Sequence, residues 1–141
     1  MNPGRRIVLG TGVLVSAALR PGSILDRAFS RALRDCVICA CEPTLEELRM
    51  VLNRSKFARY LSRPARDEFL RFLRHSVWIC PLSPSDVAAV KPSCRDRRDK
   101  VFLALALAAE AELIVSSDQN LLVCHPWRGI AIRTPADFLS E

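Results

Sequence analysis

The chain has no apolar stretch of the roughly 18–20 residues that a bilayer-spanning helix needs, so a helical membrane protein is not the expected class. Histidine is scarce: His75 and His125 are the two present. No second Cys-x-x-Cys accompanies Cys36-x-x-Cys39, and a tetrahedral zinc knuckle therefore lacks half of its ligand set. Nucleotide signatures are incomplete as well. Gly10-Thr11-Gly12 follows an apolar run, but a dinucleotide fingerprint needs a third glycine where Val15 stands, and no lysine follows to make a Walker loop. The pair is left with two readings, a phosphate contact at a helix start or a simple strand-to-helix turn. Repeats, low-complexity tracts and linkers are absent too.

A length of 141 residues, half of them apolar and 26% charged, suits one domain with one sizeable core spanning residues 1–141. The net charge of +6 favours polyanions, RNA or DNA above all, or an acidic protein; a solubilising surface is the plainer reading. Arg5-Arg6 before IVLGTGVLVSAAL has the look of a signal peptide, but Gly-Thr-Gly interrupts the run and no small-x-small cleavage site follows. The expectation is a buried strand, a turn and a buried helix. Six cysteines are present. Cys36, Cys39 and Cys41 lie in the β-like segment DCVICACEP, where a strand sends Cys39 and Cys41 to one face and Cys36 to the other. Buried, reduced thiols in a cytoplasmic protein are expected.

Apolar runs alternate with amphipathic stretches, the pattern of an α/β domain with a parallel sheet. RIVLG (6–10), CVICA (36–40), VWICPL (77–82), AELIVSS (111–117) and GIAIRT read as strands. SILDRAFSRAL, PTLEELRMVLN, SPSDVAAV, DRRDKVFLALALAAEA, DQNLL and PADFLSE read as helices, with Leu45, Leu48, Met50, Val51 and Leu52 on one apolar side. KFARYL and PARDEFLRFLRHS read as a helical hairpin with Phe69, Leu70, Phe72 and Leu73 inward. In such sheets ligands bind beyond the carboxyl ends of the strands, which singles out Gly10, Glu42, Ser83 and Asp118.

Three acids fall at or near that rim. Asp118 follows a strand, Asp99 opens a helix, and Glu47 lies about one turn into another. Converging carboxylates hold Mg²⁺ or Mn²⁺, hard ions that take oxygen ligands, and such an ion activates water toward a phosphodiester. Each acid also has a structural reading: Asp96 and Asp99 fit a helix-capping pair, Asp118 a cap of DQNLL, and Glu47 a partner for a nearby arginine.

In their order and spacing, RIVLGTGVLVSAAL, TLEELRMVLNRSKF, CRDRRDKVFLALALAAEAELIVSSDQNLL and GIAIRTPADFL resemble the PIN-domain proteins, and among them the VapC-like toxin components of bacterial toxin–antitoxin pairs. The resemblance covers nearly the whole chain. It implies a three-layer α/β/α, Rossmann-like fold and a Mg²⁺- or Mn²⁺-dependent endoribonuclease leaving a 5′-phosphate and a 3′-hydroxyl. It places catalytic, metal-holding acids on Glu47, Asp99 and Asp118. It departs at the first strand, where the family reads Asp-Thr-Asn and this chain reads Gly10-Thr11-Gly12. Thr11 remains as a hydrogen-bonding group. The expectation is a weakened nuclease; the alternative is a catalytically silent module that binds RNA or an antitoxin. The resemblance further implies an antitoxin partner, with residues 43–75 as its groove and Phe57, Tyr60, Leu61 and Phe69 as contacts, and a homodimer. Arg95, Arg97 and Arg98 beside the acids are candidate phosphate contacts, and Trp78 and Trp127 are candidate stacking platforms whose other reading is core packing.

Overall fold

Short apolar runs flanked by turn signals become strands, the central ones buried on both faces. The computed structural model describes residues 4–90 and 97–141, Arg97 by its backbone alone. β1 (Arg6–Leu9), β2 (Val37–Ala40), β3 (Trp78–Ile79), β4 (Leu113–Val115) and β5 (Ala131–Arg133) pair, among the described residues, in the order β3-β2-β1-β4-β5. Every pairing is parallel, with Ile7 opposite Ile38 and Leu113, and Val8 opposite Cys39 and Ile114. The expected mostly parallel sheet is parallel throughout these pairings.

The period-two alternation of the strands divides the core into two clusters. Ile7, Leu9, Ile38, Ala40, Leu113 and Val115 face one side. They meet α1 (Thr11–Leu19), α2 (Ile24–Asp35), α3 (Glu42–Leu52), α4 (Arg63–Ser76) and α8 (Pro135–Leu139) through Val13, Phe29, Leu48, Leu73 and Phe138. Val8, Cys39, Ile114 and Ile132 face the other side, against α6 (Arg97–Ala108) and α7 (Gln119–Leu122). In α6 every side chain from Phe102 to Ala106 is buried, which explains why FLALALA lacks a polar face. This is the three-layer α/β/α arrangement. Cys39 and Cys41 share one cluster while Cys36 packs against the other, as strand alternation predicts.

Several local expectations are corrected. KFARYL is not a helix: Ser55–Phe57 forms a single 3₁₀ turn, so α4 has no hairpin partner there. Phe72 points outward at 52% exposure and Met50 at 60%, while Leu73 is buried. Both misplaced residues sit among good apolar neighbours, and rotation about the helix axis excludes them from the core face. Trp127 is buried, whereas Trp78 is exposed on the short β3 with the Arg6 guanidinium 5.3 Å from its ring centre. No helix of the described residues is long and apolar enough to cross a membrane.

Caps set the helix starts. Ser23, Ser62, Ser83 and Thr134 each accept a backbone N–H three residues on. Between α1 and α2, Gly22 adopts a φ of +84°, the left-handed turn that a side chain would strain.

The C-terminus is clamped at the start of the sheet. Arg5, which precedes β1, donates to Glu141 Oε2 at 2.7 Å, and Arg31 of α2 donates to the carbonyls of Phe138 and Leu139 at 2.8 and 2.9 Å. The hydrogen bond from Arg5 holds the Glu141 carboxyl below its ordinary value of 4.5. A carboxyl depressed in the folded state contributes stability that is complete above the unfolded value and lost as pH falls through the folded one. The melting temperature should therefore fall as pH drops below about 4.5. Glu141→Gln should flatten part of that slope, the remainder belonging to the similarly depressed Glu42, Glu46 and Asp86; an unchanged slope would remove the clamp from the account.

Candidate active site

β1 ends at Leu9, and Gly10 turns directly into α1. Gly10 has φ −67° and ψ 158° and donates its N–H to Val115 O at 2.8 Å. That backbone is open to any residue, so the strand-to-helix turn does not require glycine at this position. At the same carboxyl end of the parallel β1–β4 pairing, Ser116, Ser117 and Asp118 follow β4. The edge between these two chain passages lies beyond the carboxyl ends of the strands, where the sheet rule places ligands.

A cavity of about 240 Å³ occupies that edge, and Gly10, Thr11, Gly12, Glu47, Arg98, Asp99, Ser116, Ser117 and Asp118 line it, with Phe102 and Leu121 as its apolar wall. All three acids singled out in the sequence thus reach one cavity. Each arrives from a different element. α3 carries Glu47, whose Oε2 accepts a hydrogen bond from Thr11 Oγ1 at 3.3 Å. The first turn of α6 carries Asp99, only 5% exposed, where the helix dipole favours a negative charge. Asp118 caps α7 by accepting the Asn120 N–H at 2.9 Å, and its own N–H is held by Ser116 Oγ at 3.0 Å. The capping reading of Asp118 is therefore correct alongside its place in the cavity. Glu47 finds a threonine rather than an arginine; Arg49 pairs with Glu46 instead.

Of the candidate phosphate contacts, Arg98 and Thr11 line the cavity. Arg95 and Asp96 lie outside the described residues, as does the side chain of Arg97. Glu42 is turned away toward Arg74, which donates to it at 2.7 Å, and Ser83 caps α5 (Pro84–Ala88).

Ser116 and Ser117 were not singled out in the sequence. A Cβ at Gly10 would stand 3.2 Å from Ser116 Oγ, and one at Gly12 would stand 2.9 Å from Ser117 Oγ. The two serine hydroxyls thus crowd the room beside the two glycines. Their one sequence signal was adjacency to Asp118.

The donor set is all oxygen: carboxylates, with hydroxyls beside them. It suits a hard dication rather than zinc. Among the described residues no three of His, Cys, Asp and Glu stand close enough together to hold a metal ion, so the cavity supplies fewer than three such ligands at once. Mg²⁺ tolerates this, since one or two carboxylates with water and substrate phosphates commonly complete its shell. Among the described residues no cysteine lines the cavity. Cys39 is buried and its pKa is pushed up to about 11 by desolvation, and His125 Nδ1 accepts the Ile132 N–H at 2.9 Å.

Beside the cavity a second, more apolar depression of about 350 Å³ runs between α3 and α6, lined by Pro43, Met50, Val51 and Val101, and shares Glu47 and Arg98 with the first. Of the expected partner contacts, Leu61 and Phe69 pack into the core and Tyr60 is 67% exposed.

The fold and this carboxylate-lined edge define an α/β/α protein with an acid-lined cavity at the carboxyl end of its sheet. The family model for the PIN domain matches residues 6–120, and the chain belongs to that family, whose members generally depend on divalent metal ions. VapBC2 from Rickettsia felis, solved bound to a DNA fragment from their promoter, is similar in fold at 14% identity and TM-score 0.67, covering 92% of this chain and 98% of that one. PAE2754 from Pyrobaculum aerophilum is similar at 14% identity and TM-score 0.63, covering 97% of this chain and 88% of that one. No curated protein matches the sequence.

Proposed function

We propose that the chain is a single-domain, VapC-like PIN endoribonuclease that depends on Mg²⁺ or Mn²⁺ and is weakened by glycine at position 10. One observation carries this reading: Glu47, Asp99 and Asp118 come from three separate elements and line one cavity at the carboxyl edge of a parallel sheet. Asp99 and Asp118 hold the dication in this reading, and Glu47 assists. A dication held there would supply an activated water and offset charge on the phosphodiester.

The chain's own groups account for the rest. Asp99 is fixed by burial on α6, and Thr11 orients the Glu47 carboxylate. Ser116 fixes the backbone at Asp118. Arg98 offers a guanidinium to an RNA phosphate. The missing first-strand carboxylate lowers the charge available to a cation. Substrate phosphate then becomes a necessary ligand, and metal binding without RNA is weak. The low ligand count in the cavity also favours a second reading, a silent PIN module that binds RNA or an antitoxin. The groove between α3 and α6, with Met50 exposed at its edge, is where an antitoxin segment docks in either reading. A cytoplasmic homodimer accords with both.

The test is cleavage of a labelled RNA with Mn²⁺ or Mg²⁺. Wild type should cleave slowly, leaving 5′-phosphate ends, and Asp99→Asn should lower the rate on the order of 10²-fold or more. Asp118→Asn should act in the same direction. Cleavage that survives Asp99→Asn would assign the activity elsewhere. No cleavage at saturating Mn²⁺, with RNA binding retained, would select the silent module.

A further inference from the structure

At the opposite end of the strands the molecule carries a second charged cavity. Cys36 leads from α2 into the start of β2, and Glu141 is bound to Arg5 just before β1. A cavity of about 430 Å³ opens here, lined by Arg27, Ser30, Arg31, Arg34 and Leu139. Arg27, Arg31 and Arg34 are spaced i, i+4 and i+7, which stacks them on one face of α2 with Ser30 between. The acid-lined cavity lies beyond the other ends of β1 and β4, so the two do not overlap.

The arginines differ in what holds them. Arg31 is half-buried and locked, donating through Nη1 to Phe138 O and Leu139 O and through Nη2 to Glu141 O at 3.1 Å. Arg34 is exposed and pairs with Asp35 at 3.3 Å. Asp35 also faces Arg31, at 3.9 Å. Arg27 is exposed and has no ion pair among the described residues. The remaining nearby acids are committed: Asp26 accepts the Gly22 N–H at 2.8 Å, and Glu141 is held by Arg5. One carboxylate, Asp35, therefore serves both Arg31 and Arg34, and none among the described residues pairs with Arg27. A planar guanidinium with spare donors is matched by phosphate oxygens, which it binds in a bidentate manner.

We propose that this α2 face is a phosphate-binding exosite for RNA, contacting the backbone of a strand remote from the point of cleavage. The proposal rests on the chain acting on RNA. Arg31 forms the fixed floor, and Arg27 and Arg34 close on phosphate from either side. Contacts of this kind carry no base information, so they raise affinity for long RNA without setting the cleavage sequence. They also leave a measurable trace, because each neutralised phosphate of a single strand adds about 0.7 to the slope of log K against log salt.

The experiment is fluorescence anisotropy of the full chain with a labelled single-stranded RNA in EDTA, over a range of NaCl concentrations. Beside it runs Mn²⁺-dependent cleavage of an RNA too short to span both ends of the molecule. Arg27→Gln with Arg34→Gln should weaken binding of the long RNA about tenfold and lower the salt slope by about one. Arg27→Lys with Arg34→Lys should recover most of the slope. Cleavage of the short RNA should be unchanged, since both side chains lie at the far end of the sheet. Equal affinity and slope in wild type and the glutamine variant would overturn the exosite while leaving the nuclease reading intact. Displacement of the long RNA by polyglutamate from wild type and the glutamine variant alike would also overturn it. A wild type that binds no long RNA would overturn the exosite too, and cleavage of the short RNA would then decide the nuclease reading separately.

Discussion

Gly10→Asp combined with Gly12→Asn should raise Mg²⁺ affinity and increase the rate of RNA cleavage on the order of 10²-fold or more. The backbone permits the change: φ at Gly10 is −67°, and neither glycine belongs to the positive-φ set, which is Gly22 and Gly129 among the described glycines. The new side chains enter a tight space. Ser116 Oγ, 3.2 Å from a Cβ at position 10, must yield by a few tenths of an ångström. Ser117 Oγ, 2.9 Å from a Cβ at position 12, must rotate, which an exposed terminal hydroxyl does at little cost. The added carboxylate joins Glu47, Asp99 and Asp118 around one cavity, so like-charge repulsion should lower the melting temperature in EDTA. Millimolar Mg²⁺ should then raise it, because a ligand that binds the folded state stabilises it by mass action. Wild type should show a much smaller metal-dependent shift. Calorimetric titration, thermal melts with and without Mg²⁺, and a cleavage assay read the three effects. If the double variant binds no more metal than wild type while remaining folded, the carboxylates do not form the cation site and the proposed chemistry fails.

Phe138→Ala should cost about 3–5 kcal/mol of folding stability, measured by urea denaturation. Phe138 is fully buried in the last helix. Its ring lies 5.1 Å from the Arg31 guanidinium and 5.8 Å from that of Arg5, so its loss leaves a cavity and removes the platform beneath two charged groups. α8 is short and has little helical stability of its own; it persists because Phe138 and the carbonyl bonds to Arg31 dock it on α2. Val123→Ala, at a position 75% exposed, should change stability by no more than about 0.5 kcal/mol. A loss below about 1 kcal/mol for Phe138→Ala would mean that α8 is not part of the cooperative core.

Much of the architecture was legible as pattern. Ile7-Val8-Leu9, Val37 to Ala40 and Leu113-Ile114-Val115 are short apolar runs, and alternation alone predicts which residue faces which layer. The separation of Cys36 from Cys39 and Cys41 followed from that rule. Helix starts were legible where a serine or proline marked them, at Pro43 and Ser83. KFARYL misled because its apolar spacing is helical, yet Leu61 packs against the core while Tyr60 stays exposed, and only the single turn Ser55–Phe57 forms. Phe72 and Met50 misled for a related reason. On a helix rich in apolar residues the sequence does not reveal which of them the neighbouring elements will cover, and burial is decided by what lies opposite.

For the site, the candidate acids Glu47, Asp99 and Asp118 and the glycine at position 10 were legible in the sequence, because carboxylates at strand ends and helix starts are marked by local order. That they share one cavity was decided only by the tertiary structure, since they are far apart in sequence and meet through the parallel pairing of β1 with β4 and the packing of α3 and α6 around it. The same is true of Ser116 and Ser117 beside the glycines, and of Arg27, Arg31 and Arg34 over the C-terminal clamp. A chain's local chemistry records what each residue offers, while convergence depends on long-range packing, which no short stretch of sequence contains.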